Sequence, residues 1–290
     1  MKSKLVAVAT VACSLLAAAG IGQIAYADAT SRAQGRQRAL ERDARDRSEN
    51  RIKDISFKNV IDLSHVVDTN IPLWPGDPEV KLETVANIDP DGYYLRSFTI
   101  GEHSATHMNA GNSFFAGGSS IDSYGPEKLV RRAVVIDVRQ RVNAFGPDYA
   151  LTIDDVKAWE RRNGRVPKDS IVLVYTGWQA KWGNPAAFIG NTAAPGDTPD
   201  LHFPGIAGET TEWMLSERGI VGVGIDTHGA DPGQDVNYRT NNAVLAEDGI
   251  VLECLTNLDR LKPTGNTLVL GRLALKDGSG SPLTVLAFAE

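Results

Sequence analysis

From residue 55 onward, short apolar runs rich in β-branched residues alternate with clusters of Gly, Pro, Asn and Asp. Residues 133–138, 170–175 and 220–225 are nearly continuous apolar runs, the pattern of strands covered on both faces. Residues 60–63 and 94–100 also read as strands, and 250–255, 267–275 and 283–288 follow toward the C-terminus. Between 72 and 78 a Pro- and Gly-containing loop carries Trp74. Helical signals are fewer. Residues 152–162 begin at Thr152, a good N-cap, with Asp154 and Asp155 in the first turn, where the helix dipole favours acids. Residues 209–218 form a second predicted helix, closed by Gly219. Strands outnumber helices and no repeat is visible. The pattern predicts an α/β fold: a single domain with a mixed β-sheet and flanking helices.

The N-terminus follows another pattern. Lys2 and Lys4 precede an apolar run over 5–24, and Ala25-Tyr26-Ala27 offers a small-x-small cleavage site. Residues 1–27 are therefore predicted to be a signal peptide, which makes the mature protein secreted or periplasmic and free of the membrane after cleavage. Residues 28–54 are charged and almost devoid of large apolar side chains, as in a linker or solvated helix, and the folded body spans 55–290. Cleavage removes two lysines and moves the formal charge from −6 to −8. An acidic protein of this kind is a poor binder of nucleic acid or anionic lipid, so a small molecule is the expected partner. Only Cys254 remains, which excludes an intrachain disulfide, and its apolar surroundings predict a buried, inert thiol. No glycine-rich phosphate loop and no Gly-x-Ser-x-Gly nucleophile motif occurs.

The chemistry concentrates in one segment. His103 and His107 lie four residues apart after the strand at 94–100, so their imidazoles can aim at one point and share a metal. Asn109 stands where a carboxylate would complete a ligand trio, and Ser113 follows where another histidine would help. A hydroxyl does not titrate near neutrality, so Ser113 is a poor proton shuttle. His228 is a possible substitute, in the loop Asp226-Thr227-His228-Gly229-Ala230-Asp231 after a buried strand. A histidine in such a loop is expected to be exposed. Trp74, held by a proline-rich loop, suits stacking on a planar substrate.

The segment His103-Ser104-Ala105-Thr106-His107-Met108-Asn109-Ala110-Gly111-Asn112-Ser113-Phe114 resembles the signature His-x-Gly-Thr-His-x-Asp-x-Pro-x-His-Phe of the metal-dependent cyclase family, which includes bacterial kynurenine formamidase and isatin hydrolase. The resemblance extends over Asp62-Leu63-Ser64-His65, Trp74-Pro75-Gly76-Asp77-Pro78, Thr176-Gly177-Trp178, His202-Phe203-Pro204-Gly205, Asp226-Thr227 and Glu253, in the family's order. It implies a swivelling β/β/α-type domain, a homo-oligomer and hydrolysis of a small cyclic or N-acyl amide or lactone by metal-activated water. It also implies that His103, His107 and Glu253 hold a divalent ion, Zn or Mn, and that Glu253, Asn109 and Ser113 carry the catalytic step. Trp74, Asn241 and His228 are the expected substrate contacts. Three family ligands are replaced: the Asp by Asn109, the last signature His by Ser113 and a later His by Asn241. An amide offers a dipole where a carboxylate offers charge, so these replacements weaken metal binding. The alternative is a metal-free member that binds a small molecule or catalyses a dehydration or cyclisation, with Asn109, Ser113 and Asn241 forming a neutral cup.

Overall fold

The computed structural model describes residues 54–194, 197 and 199–290. The predicted signal peptide and the charged stretch ahead of residue 54 lie outside the described residues. In chain order, β1 (Asn59–Asp62) is followed by a hairpin of β2 (Lys81–Ala86) and β3 (Leu95–Thr99), then by β4 (His107–Asn109). Next come β5 (Val130–Asp137), α1 (Arg139–Phe145), the short β6 (Ala150–Leu151), α2 (Ile153–Asn163), β7 (Ile171–Tyr175) and α3 (Pro185–Ile189). The chain finishes with β8 (Gly205–Ile206), α4 (Gly208–Arg218), β9 (Gly222–Ile225), α5 (Arg239–Leu245), β10 (Ile250–Glu253), β11 (Asn266–Arg272) and β12 (Gly280–Ala289).

The three continuous apolar runs become β5, β7 and β9, which lie parallel and adjacent, with β10 parallel beside β9. Their side chains alternate between two cores. Val134, Ile136, Val172, Val174 and Val251 pack with the helix residues Val156, Trp159 and Met214. Ala133, Val135, Ile171, Leu173, Ile250 and Leu252 pack with residues of β11 and β12. Burial on both faces is why these runs show no polar alternation. Each large side chain so buried contributes about 1.5–3 kcal/mol relative to exposure.

The sheet is mixed, as the pattern predicts, and it also closes. β4 pairs antiparallel with β10 on one side and with the first residues of β12 on the other. The ring runs β4, β10, β9, β7, β5, β11, β12 and back to β4, while β1 extends the far half of β12. Closure removes the open edges that a flat mixed sheet would leave. The two predicted helices are present. Thr152 and Asp155 form a reciprocal capping box on α2, and Gly219, at φ 64°, ends α4 in the left-handed conformation that glycine adopts without strain. No helix among the described residues is long and apolar enough to cross a membrane.

Candidate active site

The register of β4 against β10 sets the floor of the site. Glu253 lies opposite His107, and Asn109 lies opposite Val251. Residues two apart on a strand share a face, so His107, Asn109 and Glu253 all point to the helix-covered side with Val251, while Met108 and Leu252 point into the other core. β9 ends at Ile225, and the next turn delivers His228 to the same place. The site therefore sits at the carboxyl ends of the parallel strands β9 and β10, the usual location in α/β sheets. Gly280 of β12 is paired with Asn109, and a Cβ there would meet His103 Cε1 at 2.8 Å, so only glycine leaves room for that ring.

A hydrogen-bond circuit joins these residues, and its direction is determined. Asn241 Nδ2 donates to Asp231 Oδ2 at 2.9 Å and to Glu253 Oε1 at 3.2 Å. Its Oδ1 must then face Asn109, whose Nδ2 donates to it at 3.0 Å. Asn109 Oδ1 accordingly faces His103 Nδ1 at 2.8 Å, so this nitrogen carries a hydrogen. The other ring nitrogen, Nε2, lies 2.9 Å from Ser279 Oγ, which itself donates to Glu102 Oε2 at 2.6 Å. Across the floor, His107 Nδ1 donates to Ala105 O at 2.9 Å and Nε2 lies 3.0 Å from Glu253 Oε2, with a hydrogen between them. Ala105 presents that carbonyl from a left-handed backbone, φ 55°, where the family signature has glycine. Ala230 N–H completes the shell of Glu253 at 2.8 Å. Burial alone would raise the Glu253 carboxyl, but the His107, Ala230 and Asn241 donors outweigh it and hold it below its usual range. Asp231 goes the other way: burial raises it to about 6 despite the donors of Asn241 and Thr240.

These residues do not fit a divalent ion. An ion needs lone pairs converging at roughly 2.0–2.3 Å. His103 Nδ1 is a donor to Asn109, its Nε2 lies against the Ser279 hydroxyl whose hydrogen goes to Glu102, and each asparagine carbonyl already accepts one hydrogen bond inside the circuit. His107 Nε2 and Glu253 Oε2 are the two groups that face each other as paired ligands would, and two do not make a site. Among the described residues no group of three His, Cys, Asp or Glu is arranged to hold a metal. The circuit therefore takes up the ligands that the sequence resemblance assigned to an ion.

Above the floor is a cavity of about 480 Å³. Every residue singled out from the sequence lines it: His103, His107, Asn109, Ser113, Trp74, His228, Asn241 and Glu253. Ser113 faces it with its hydroxyl already donated to Ala110 O at 2.5 Å. The expectation of an exposed His228 is overturned. The imidazole is 3 % exposed, because its loop folds under Trp74 and Phe188, with ring centroids 5.7 and 6.4 Å away. Its Nε2 is buried without a hydrogen-bond partner. Burial, and the charge of His107 next, lower its pKa to about 4, so the ring is neutral at physiological pH. Trp74, Phe114 and Tyr238 form an aromatic wall, with centroids 6.5 Å apart for Trp74–Tyr238 and 5.6 Å for Phe114–Tyr238.

The sequence reading missed two acids. Asp231 anchors the circuit, and Asp77 stands on the cavity wall. Residues 74–77 form a tight turn with Asp77 N–H donating to Trp74 O at 3.0 Å, and Gly76 at φ 96° supplies the left-handed corner after Pro75. The turn sets Trp74 and Asp77 at its two ends, facing one space. Pro-Gly followed by Asp was the available signal, but an aspartate beside glycine reads first as a turn former.

Fold and cavity together define a class: closed, mixed α/β domains with a histidine-rich pocket at the strand ends. The cyclase family matches residues 61–232. Isatin hydrolase of Roseibium aggregatum is 31 % identical over 245 residues, covering 79 % of this chain and 90 % of that protein. Kynurenine formamidase of Erythrobacter litoralis is 24 % identical over 224 residues, covering 77 % and 90 %. The structure of isatin hydrolase A from Ralstonia solanacearum superposes with a TM-score of 0.73 at 33 % identity, over 80 % of this chain and 92 % of that one. The chain belongs to the cyclase family.

Proposed function

We propose that this protein hydrolyses a small planar cyclic or N-acyl amide, and that it activates water through His228 without a bound ion. The observation that carries this reading is a neutral imidazole, His228, that lines the cavity beside Trp74 and whose Nε2 is buried without a hydrogen-bond partner. Its relatives are named for isatin, a lactam fused to a benzene ring, and for the formamide of kynurenine, and both chemistries end in cleavage of an amide C–N bond. With the substrate ring against Trp74, His228 Nε2 takes a proton as water attacks the carbonyl carbon. The imidazolium then returns that proton to the departing nitrogen, the C–N bond breaks, and a carboxylate and an amine result. The His107–Glu253 pair and the asparagine circuit hold the floor rigid during both steps. Lys2, Lys4 and the Ala25-Tyr26-Ala27 site support export of the enzyme.

The test is ring opening of isatin by His228→Gln, followed by absorbance. A general base contributes about 10²–10⁴-fold, so the variant should lose at least about a hundredfold in kcat with its fold intact. Unchanged kcat would remove His228 from this role. A second reading, a binder that does not cleave, is favoured by one feature: both amide hydrogens of Asn241 and one of the two on Asn109 are committed to neighbouring acceptors, which leaves a single asparagine N–H to stabilise an oxyanion. Binding of isatin without product would select it.

A further inference from the structure

The polar groups left over in the cavity say what kind of molecule fits it. His103, His107, Asn109, Asn241, Asp231 and Glu253 are consumed by the circuit, and the Ser113 hydroxyl is given to Ala110. Beside one amide N–H of Asn109 and the Tyr238 hydroxyl, for which the circuit provides no partner, two lining acceptors remain open. One is the buried Nε2 of His228, an acceptor in the neutral ring when Nδ1 holds the hydrogen. The other is the Asp77 carboxylate, which makes no side-chain hydrogen bond or ion pair with the described residues. Both are acceptors. No lysine or arginine is among the described residues lining the cavity, while Asp235 adds a further carboxylate at its rim. The aromatic wall of Trp74, Phe114 and Tyr238 suits planar groups, and a ring face turned to the cavity would favour positive charge.

We propose that the cavity selects planar aromatic molecules carrying a hydrogen-bond-donating nitrogen, an N–H or an ammonium, with Asp77 as its acceptor, and that it rejects molecules bearing a carboxylate. The inference deepens the hydrolase reading and rests on it for the choice of a planar amide, but the recognition is read without turnover. It has a consequence for the cycle. Amide hydrolysis creates a carboxylate inside a cavity that has no lysine or arginine among its described lining residues and whose His107 is already matched by Glu253, so the acidic product leaves readily. Selection for the N–H and expulsion of the product then have one cause, the negative charge at Asp77, which feels His103 and His107 across the cavity but is hydrogen-bonded to neither.

The experiment measures binding of three matched probes to the mature protein by quenching of tryptophan fluorescence: oxindole, N-methyloxindole and indole-3-carboxylate. A hydrogen bond to a charged group separates the first two by at least about tenfold. Indole-3-carboxylate should bind more weakly than either. Asp77→Asn should erase the preference for oxindole over its N-methyl form and improve carboxylate binding, while Asp77→Glu should retain the preference. Equal wild-type affinity for oxindole and its N-methyl form overturns the proposal without any variant. So does tighter binding of the carboxylate, or no binding of oxindole. Oxindole lacks the activated ketone-flanked carbonyl of isatin and is read as a ligand only. Failure to cleave isatin with this binding pattern intact would therefore sink the hydrolase reading and leave the recognition proposal standing.

Discussion

Asn109 donates its side-chain N–H to the carbonyl oxygen of Asn241 at 3.0 Å, and the two acids behind Asn241 leave it no other orientation. Asn109→Asp replaces that donor by an acceptor. Two buried oxygens would then face each other, or Asn241 would turn and abandon Asp231 and Glu253. In metal-free buffer this substitution should cost about 1–3 kcal/mol, read as a shift of the urea midpoint. It should also raise the affinity for Mn or Zn above that of the parent, measured by calorimetry. An unchanged midpoint would mean that the amide circuit is not a stabilising unit.

Glu253 and His107 form a buried ion pair on the cavity floor. Removing one partner of such a pair typically costs about 3–5 kcal/mol, because the other charge is left uncompensated. Glu253→Gln should therefore destabilise more than Asn109→Asp does. A smaller effect would indicate that the proton between the two residues carries little energy.

Gly280 and His103 occupy one space. Gly280→Ala places a methyl 2.8 Å from the ring, on a strand paired to β4 and unable to retreat. Overpacking of this kind costs roughly 1–3 kcal/mol. The variant should show a lower thermal midpoint and, as His103 is displaced, an altered imidazole NH spectrum. An undisturbed His103 resonance would contradict the close approach.

Stability should depend on pH through the buried histidines. His228 and His65 are each lowered by burial to about 4, below the ordinary value of 6.5. A group held neutral by the fold gives stability that is complete above pH 6.5 and lost as pH falls toward 4. Asp231, raised to about 6 from 3.8, acts in the opposite sense and gains on protonation between about 6 and 4. His103 is shifted in the same direction as these histidines and Asp77 and Asp226 in the same direction as Asp231, so the contribution of His228 is read by comparing the variant with the parent. His228→Gln should remove roughly 3 kcal/mol of that dependence, the equivalent of its shift. A profile equally steep in the variant would contradict the burial of this ring.

Much of the architecture was legible because burial on both faces writes long apolar runs at 133–138, 170–175 and 220–225. β4 was not legible as a strand: three residues, His-Met-Asn, carry no periodicity, and they pair only because β10 and β12 flank them. Closure of the sheet follows from that same short strand and from the length of β12, neither of which has a local signature. His103 and His107 could be named from their spacing and Trp74 and His228 from their loops, whereas Glu253 and Asn241 came only from the family resemblance. What they do to one another could not. The direction of the asparagine hydrogen bonds depends on Asp231, which looks like any aspartate after a Gly-Ala pair until α5 is laid against it. His228 was expected outside because loop position predicts exposure, and only tertiary packing under Trp74 reverses that.

The central claim is that this cavity opens an amide with His228 and no resident ion. Its most direct test is isatin hydrolysis by the purified protein before and after exhaustive chelation, with metal content determined on the same samples. The account predicts far less than one equivalent of Mn or Zn per chain and the same kcat on both sides of the treatment. Activity that disappears on chelation and returns with either ion would contradict it.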